Sequence, residues 1–184
     1  MQSFSEVQPN SPDEGDGIWP TRRRKVLDWL VNETRGERFI DNIFVDMCEG
    51  LAQAGVPLAR ATLHFRIHHP QWIGARILWR KGLSEAEIDT FDYGTEDTSQ
   101  YLNSPLFEIN NGGAEVRRRL DAATADGPHY PLFDELRDAG LTDYIAWPLE
   151  HSLGKRHVVT FASDRPGGFA AEDIALFADL LPAL

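Results

Sequence analysis

The hydrophobic pattern of the chain changes its period at Gly55–Pro57, and this change limits the possible folds more than any other feature. Before that point, apolar residues recur at helical spacing and predict an amphipathic helix over residues 37–54. After it, residues 61–68 alternate apolar and polar side chains, which predicts a strand with one buried face. A second strand is predicted at Trp72–Trp79. Residues 69–71 between the two strands predict a turn, and the two strands together predict a β-hairpin.

The remaining predicted elements come in blocks and not in strict alternation. Along the chain they are a first helix over 21–33, a short strand near Thr90–Tyr93, a short helix beginning at Ser104-Pro105, an exposed strand spanning Val116–Leu120, a helix over Pro131–Ala139, two strands at Tyr144–Leu149 and His157–Ser163, and a final helix over Ala170–Leu184 with Ile174, Phe177, Leu180 and Leu181 facing inward. This order favours an α+β fold with an antiparallel sheet and helices packed on it.

Composition excludes several classes of protein. The 184 residues include 29 acidic and 18 basic side chains, giving a net charge of -11. This balance argues against a nucleic-acid binder, which needs a basic face to neutralise phosphates. No stretch approaches 18 consecutive apolar residues, so no membrane span is predicted. The N-terminus also lacks the pattern of a signal peptide, and we expect a cytoplasmic protein.

Residues 1–20 are predicted to form a disordered acidic tail, because they combine prolines, glycines and acids with few apolar groups. The single globular domain is therefore expected over residues 21–184. The only cysteine, Cys48, rules out a disulfide framework. Its place on the apolar stripe of residues 37–54 favours a buried, inert thiol.

No metal or catalytic site is predicted. His64 and His68 would lie about 13 Å apart on a strand, too far to share one ion. The sequence has no HExxH motif, no GxSxG elbow and no phosphate-binding loop. What remains is a set of large amphipathic and polar side chains that could line a pocket between the sheet and its loops. The candidate ligand-binding residues are His64, Arg66, Trp79, Tyr93, Arg118, Tyr144 and Trp147. The alternative is that the aromatic ones simply fill the core.

Several segments together resemble a known family. They are Ala54-Gly55-Val56-Pro57-Leu58-Ala59-Arg60-Ala61, Leu63-His64-Phe65-Arg66, His69-Pro70, Trp79-Arg80, Leu136-Arg137-Asp138-Ala139-Gly140-Leu141-Thr142-Asp143-Tyr144 and Ala162-Ser163-Asp164-Arg165-Pro166-Gly167-Gly168-Phe169. Over residues 24–184 the chain resembles the N-terminal regulatory region of bacterial class III adenylate/guanylate cyclases of the rhizobial type. The resemblance implies a GAF-like sensory domain, in which an antiparallel sheet of about six strands carries its N- and C-terminal helices on one side.

The resemblance also implies a role in cyclic-nucleotide signalling without enzymatic activity in this chain, because the cyclase catalytic domain and its metal-binding aspartates are not present. The apolar ending Leu180–Leu184 predicts a helix that continues into a cyclase domain of a longer protein. We therefore expect a sensor that binds a small ligand or a partner, forms a homodimer through its terminal helices and signals to that cyclase domain. A ligand-free dimerisation module and a small enzyme are the alternatives. The sequence does not identify a ligand or cofactor.

Overall fold

The computed structural model describes residues 24–26, 28–29, 32, 39–83, 85–122, 127–150 and 156–183. The predicted tail over residues 1–20 lies outside them, as does most of the predicted first helix over 21–33. Within that helix, Arg24–Val26, Asp28–Trp29 and Asn32 are described, and they are helical. No helix in the described ranges is long and apolar enough to cross a membrane.

One six-stranded antiparallel sheet forms the centre of the fold. Its strands are β1 (Arg60–Arg66), β2 (Trp72–Arg80), β3 (Glu87–Asp92), β4 (Val116–Arg119), β5 (Asp143–Glu150) and β6 (Arg156–Ser163). They lie in the order β3-β2-β1-β6-β5-β4, and every neighbouring pair is antiparallel. Strands β1 to β3 therefore form one half of the sheet. Strands β4 to β6 form the other half, and the pairing of β6 with β1 joins the two halves.

Helices cover both faces of this sheet. They are α1 (Ile40–Gln53), α2 (Ser99–Leu102), α3 (Pro105–Asn110), α4 (Pro131–Asp138) and α5 (Ala171–Leu180), with 3-10 turns at Thr95–Asp97 and Leu181–Ala183. The buried side chains of α1 and α5 share one core cluster, whereas those of α3 and α4 share another. We call the side packed against α1 and α5 the helix face, and the opposite side the cavity face.

Alternation along each strand assigns residues to the two faces. Ala61 and Leu63 of β1 join the core under α1 and α5, whereas Thr62 between them points to the cavity face. In β6, Thr160 lies on the cavity face and the next residue, Phe161, lies in the core of the helix face. Neighbouring residues of a strand therefore link the cavity face directly to the core of the helix face.

The predicted α+β architecture is confirmed: the sheet is antiparallel, has six strands and carries α1 and α5 on the same side. The beginnings of two elements were predicted wrongly. The first long helix begins at Ile40 and not at residue 37, and Phe39 and Ile40 are 63% and 49% exposed. Strand β3 begins at Glu87 and not near Thr90, because this edge strand is largely exposed and has no apolar alternation to mark its start.

One prediction of burial was also wrong. Strand β4 was expected to be exposed, but Arg118 is buried, with its guanidinium 5.2 Å from the centre of the Phe133 ring. Its aliphatic stem and planar head pack on an aromatic surface, which a pattern of consecutive arginines does not reveal. The inward side chains predicted for the last helix are confirmed: Phe177 and Leu180 lie in the core, and Ile174 and Leu181 pack against it, partly buried, while the prediction missed the buried Leu176 of α5. That helix ends at Leu180, and a 3-10 turn follows.

Two of the segments that carry the family resemblance, residues 136–144 and 162–169, meet in space at one structural junction. Asp143 is fully buried, and its Oδ2 accepts hydrogen bonds from Arg117 Nη2 at 3.0 Å and from the backbone N–H of Phe169 at 3.1 Å. Arg165 pairs with the buried Asp173 at the beginning of α5. These contacts fasten β5 to the turn that leads into α5. The motif residues therefore have a structural role in positioning the last helix.

Candidate ligand-binding site

A cavity of about 280 Å³ lies on the cavity face of the sheet. Strands β1, β2 and β6 form its floor, and the segment from Thr95 to Asn110 together with α4 forms its walls. Ligand sites in proteins commonly measure about 300–1,000 Å³. The cavity therefore has room for a small organic molecule.

Local sequence signals build the wall above the floor. Thr98 caps α2 by accepting a hydrogen bond from the N–H of Tyr101, and Ser104 caps α3 by accepting one from the N–H of Phe107. Pro105 occupies the first turn of α3, where its missing N–H costs nothing. Two short, separately capped helices therefore turn the chain over the sheet, and the side chains of Tyr101 and Leu106 reach the cavity.

The floor carries a chain of hydrogen bonds between polar side chains. Thr62 and Thr160 lie opposite each other on β1 and β6, and their hydroxyl oxygens are 2.6 Å apart. The Nε2 atom of His64 lies 3.0 Å from Thr62 Oγ1. Because Thr62 and His64 are two residues apart on β1, the strand places both side chains on the cavity face.

The His64 imidazole is neutral at physiological pH. Its partial burial and the nearby positive charges of Arg76 and Arg60 lower its pKa to about 3. A neutral ring has one N–H donor and one acceptor nitrogen. His64 therefore adds hydrogen-bonding capacity to the cavity without adding charge.

Four arginines line the cavity, and they differ in how they are paired. Arg76 pairs with Asp89 on the neighbouring strand, with its Nε at 3.0 Å from Oδ2. Arg156 donates to the carbonyl of Ile109 at 3.1 Å. Arg60, in contrast, forms no hydrogen bond or ion pair through its side chain with any residue of the described ranges. Burial lowers the pKa of Arg60 to about 10, which leaves it charged at neutral pH.

Tyr144 is the second polar group on the floor that lacks a partner. Its side chain is almost fully buried, and its hydroxyl has no hydrogen-bond partner within the described part of the chain, although Thr160 lies beside it. Burial raises the pKa of this hydroxyl well above its ordinary value, so it stays protonated. An unsatisfied buried hydroxyl costs about 1–3 kcal/mol, which a ligand or a water molecule in the cavity would recover.

Apolar side chains complete the walls. Leu106 comes from α3, Leu132 from α4 and Phe91 from β3. The hydroxyl of Tyr101 accepts a hydrogen bond from Asn110 Nδ2 at 2.9 Å, which fixes the ring over the cavity. The cavity therefore combines a positively charged floor with walls in which these apolar side chains stand among polar ones such as Thr98, Gln100 and Asn103.

The structure brings three of the seven predicted ligand-binding residues together at this cavity: His64, Arg66 and Tyr144. Trp79 and Trp147 lie on the helix face, in the core with α1 and α5, because strand alternation turns them away from the cavity. The role of His64, Arg66 and Tyr144 in binding stays a prediction.

The other two predicted residues also lie away from the cavity. Tyr93 is exposed after the end of β3 and donates to the carbonyl of His69 at 3.1 Å. Arg118 donates to the carbonyl of Pro128 and lies against Phe133.

Sequence reasoning missed the cavity residues Arg60, Thr62, Arg76, Arg156 and Thr160. For Arg60 and Thr62 a signal existed, since they share the period-2 pattern of His64. For Arg156 and Thr160 the sequence contained no comparable signal, because the pairing of β1 with the distant β6 brings them to the site. The described residues contain no group of three or more His, Cys, Asp or Glu side chains that could hold a metal ion.

Solved structures identify the architecture. The phycocyanobilin-bound GAF domain from a cyanobacterial phytochrome matches with a TM-score of 0.58 and 10% identity, over 88% of this chain and 90% of that chain. The chain has the GAF fold. The A. aeolicus nlh2 GAF domain in an inactive state matches with a TM-score of 0.55 at 8% identity, over 90% of this chain and 91% of that chain. The GAF domain of a phosphoenolpyruvate-protein phosphotransferase from Coxiella burnetii matches with a TM-score of 0.52 at 12% identity, over 88% of this chain and 89% of that chain.

No family model and no curated protein matches the sequence. At these low identities the similarity shows the GAF fold alone.

In this GAF fold Cys48 is fully buried in α1, on the helix face of the sheet. Burial raises the pKa of its thiol well above the ordinary value. Cys48 therefore lies on the opposite side of the sheet from the cavity and is unsuited to covalent attachment of a molecule bound there.

Proposed function

We propose that this GAF-fold chain is a non-catalytic sensory domain that binds a small molecule in the cavity and passes a structural change to its terminal helices. One observation carries the proposal: the floor of the cavity presents two polar side chains, Arg60 and Tyr144, that have no hydrogen-bond partner among the described residues. Buried polar groups without a hydrogen-bond partner destabilise the ligand-free domain, and they can form hydrogen bonds that recognise a ligand.

The sheet offers a short route from the cavity to α5. Thr160 faces the cavity, and the adjacent Phe161 stacks on Phe177 of α5 with ring centres 4.2 Å apart and planes within 9°. A ligand that displaces β6 would therefore displace the surface on which α5 packs. Transmission requires that the ligand bind one arrangement of these elements more tightly than another.

The proposed target of this signal is a class III cyclase catalytic domain in a longer protein. The proposal rests on the sequence resemblance over residues 24–184. The junction of Asp143 and Phe169 supports it physically, since these two motif residues, together with Arg117, hold the turn before α5. A domain that regulates an attached enzyme through its last helix needs that helix to be fixed firmly to the sensing sheet.

A ligand-free dimerisation module is the second candidate, and exposed apolar side chains favour it. Phe39 and Ile40 stand at the beginning of α1 and are largely exposed. Exposed apolar groups at a helix terminus suit association with a second copy of the chain. The two candidates use different parts of the molecule, because the cavity and α1 lie on opposite faces of the sheet.

Native mass spectrometry of the chain after incubation with a metabolite extract tests ligand binding. We expect the wild type to retain a small molecule at defined stoichiometry, and the cavity-filling variant Leu106→Trp to lose it. Leu106 lines the cavity, so the larger indole would occupy the space that a ligand needs. The spectrum also reports whether the chain is a monomer or a dimer.

Leu102→Trp is the matched control, because Leu102 lies in the same wall segment but is exposed and does not line the cavity. Retention in the wild type and in Leu102→Trp, with loss in Leu106→Trp, would support the sensory proposal. Equal retention in all three proteins would place the ligand elsewhere. A dimer that retains no small molecule would favour the dimerisation module.

A further inference from the structure

Among the guanidinium groups that line the cavity, Arg60 is the one that is partly buried and has no side-chain hydrogen bond or ion pair with a described residue, since Arg66 is exposed to solvent. Its neighbour Arg76 is paired with Asp89, and Arg156 is engaged by backbone carbonyls. Glu135 of α4 also lines the cavity, but it is exposed and forms no ion pair with Arg60. Glu96 accepts a hydrogen bond from the N–H of Gly94. A partly buried positive charge of this kind calls for an anionic partner.

We propose that the ligand is a small organic carboxylic acid whose carboxylate pairs with the Arg60 guanidinium on the cavity floor. This inference rests on the proposed function and adds the chemical class of the ligand. The guanidinium presents donors in a planar fork, which matches the two oxygens of a carboxylate.

The charge of the floor favours a monoanion over a dianion. Next to Arg60 the floor carries Arg76, whose charge is balanced by Asp89, and the groups Thr62, His64, Thr160 and Tyr144, which are all uncharged at neutral pH. They can donate or share hydrogen bonds with a ligand oxygen but cannot balance a second negative charge. A carboxylate carries one negative charge, whereas a phosphate monoester carries about 1.5 to 2. The carboxylate is therefore the better match for one partly buried arginine without an ion pair.

The walls define the rest of the ligand. Leu106, Leu132 and Phe91 offer an apolar surface above the floor, and the volume of about 280 Å³ limits the molecule to a compact body. A single ring or a short alkyl chain attached to the carboxylate suits this shape. Benzoate has both features and serves as a probe, and benzamide has nearly the same shape without the charge.

Nuclear magnetic resonance titrations at constant ionic strength test the proposal, with the amide signals of Tyr144 and Thr160 as reporters. We expect benzoate to bind wild-type protein roughly tenfold to a hundredfold more tightly than benzamide, as is usual for a hydrogen bond to a charged group. In Arg60→Met this preference should disappear, so that benzoate and benzamide bind with dissociation constants in a ratio of about 1. Arg60→Lys keeps the charge without the fork and should retain part of it.

Arg80→Met is the matched control, because Arg80 lies opposite Arg60 on β2 but is exposed, pairs with Glu87 and does not line the cavity. It should keep the full preference. Phenyl phosphate completes the series and should bind more weakly than benzoate.

The proposal is overturned if wild-type protein binds benzoate no more tightly than benzamide, if phenyl phosphate binds best, or if the preference survives in Arg60→Met. The first comparison needs only the wild type, so it decides the question even if a variant does not fold. Binding of benzamide without a preference for benzoate would leave the sensory proposal standing and remove only the carboxylate. Failure of both probes to bind would overturn the carboxylate inference, while native mass spectrometry still judges the sensory proposal.

Discussion

Gly168→Ala is expected to destabilise the domain by about 3–5 kcal/mol, the range measured when a buried ion pair is broken. Gly168 has a φ of +65°, and a Cβ atom there would lie 2.5 Å from both Cβ and Oδ2 of Asp143. Asp143 is fully buried and cannot move aside without losing its bonds to Arg117 and to the N–H of Phe169. The added methyl group would therefore open the junction that holds the turn before α5.

Gly167→Ala provides the control for the backbone contribution. Gly167 also has a positive φ, +87°, but a Cβ atom there meets nothing within 4 Å. We expect it to cost only about 1–2 kcal/mol, the penalty for a left-handed alanine. Urea denaturation measures both free energies of unfolding. Equal losses for the two variants would show that the contact with Asp143 does not matter to stability.

Phe177→Ala should also destabilise the fold by about 3–5 kcal/mol, the usual cost of truncating a buried phenylalanine. The Phe177 ring is fully buried, stacks on Phe161 and meets the edges of Phe169 and Trp147. Removing it leaves a void between α5 and the sheet. The same packing that stabilises the domain is the proposed path of the signal.

Phe39→Ala makes the same chemical change at a largely exposed position, 63% accessible. It should change the free energy of unfolding by no more than about 0.5 kcal/mol, as is common for surface sites. Thermal or urea unfolding of both variants gives the comparison. If Phe177→Ala were as mild as Phe39→Ala, the aromatic cluster would not be what fastens α5 to the sheet.

Periodicity predicted the buried strands well, because burial on one face imposes a strict alternation. The segment after Pro57 showed its period of 2 clearly, and β1 and β2 form the predicted hairpin. The edge strands were harder to predict. Strand β3 is largely exposed, so its side chains need not alternate, and the arginine run of β4 concealed the buried Arg118. Edge strands carry fewer packing constraints, and their sequences record less of their position.

The cavity could be predicted only in part. His64 and Tyr144 were chosen for their chemistry, and both line the cavity. Trp79 and Trp147 were chosen for the same reason, but they fill the core on the helix face. Large amphipathic aromatics suit either environment, so residue type does not decide which face they occupy. The face follows from the alternation of side chains along each strand, and residue type alone does not show where that alternation begins.

Hydrogen–deuterium exchange in the Leu106→Trp variant is the most direct test of communication between the cavity and the terminal helices. The indole serves as a permanent occupant of the cavity, and Leu102→Trp again serves as the control. We predict that filling the cavity changes the exchange protection of α5, residues 171–180, across the sheet, and that the control leaves it unchanged. A change confined to the cavity wall, residues 95–110 and 131–138, would contradict a signal that passes through the sheet to α5.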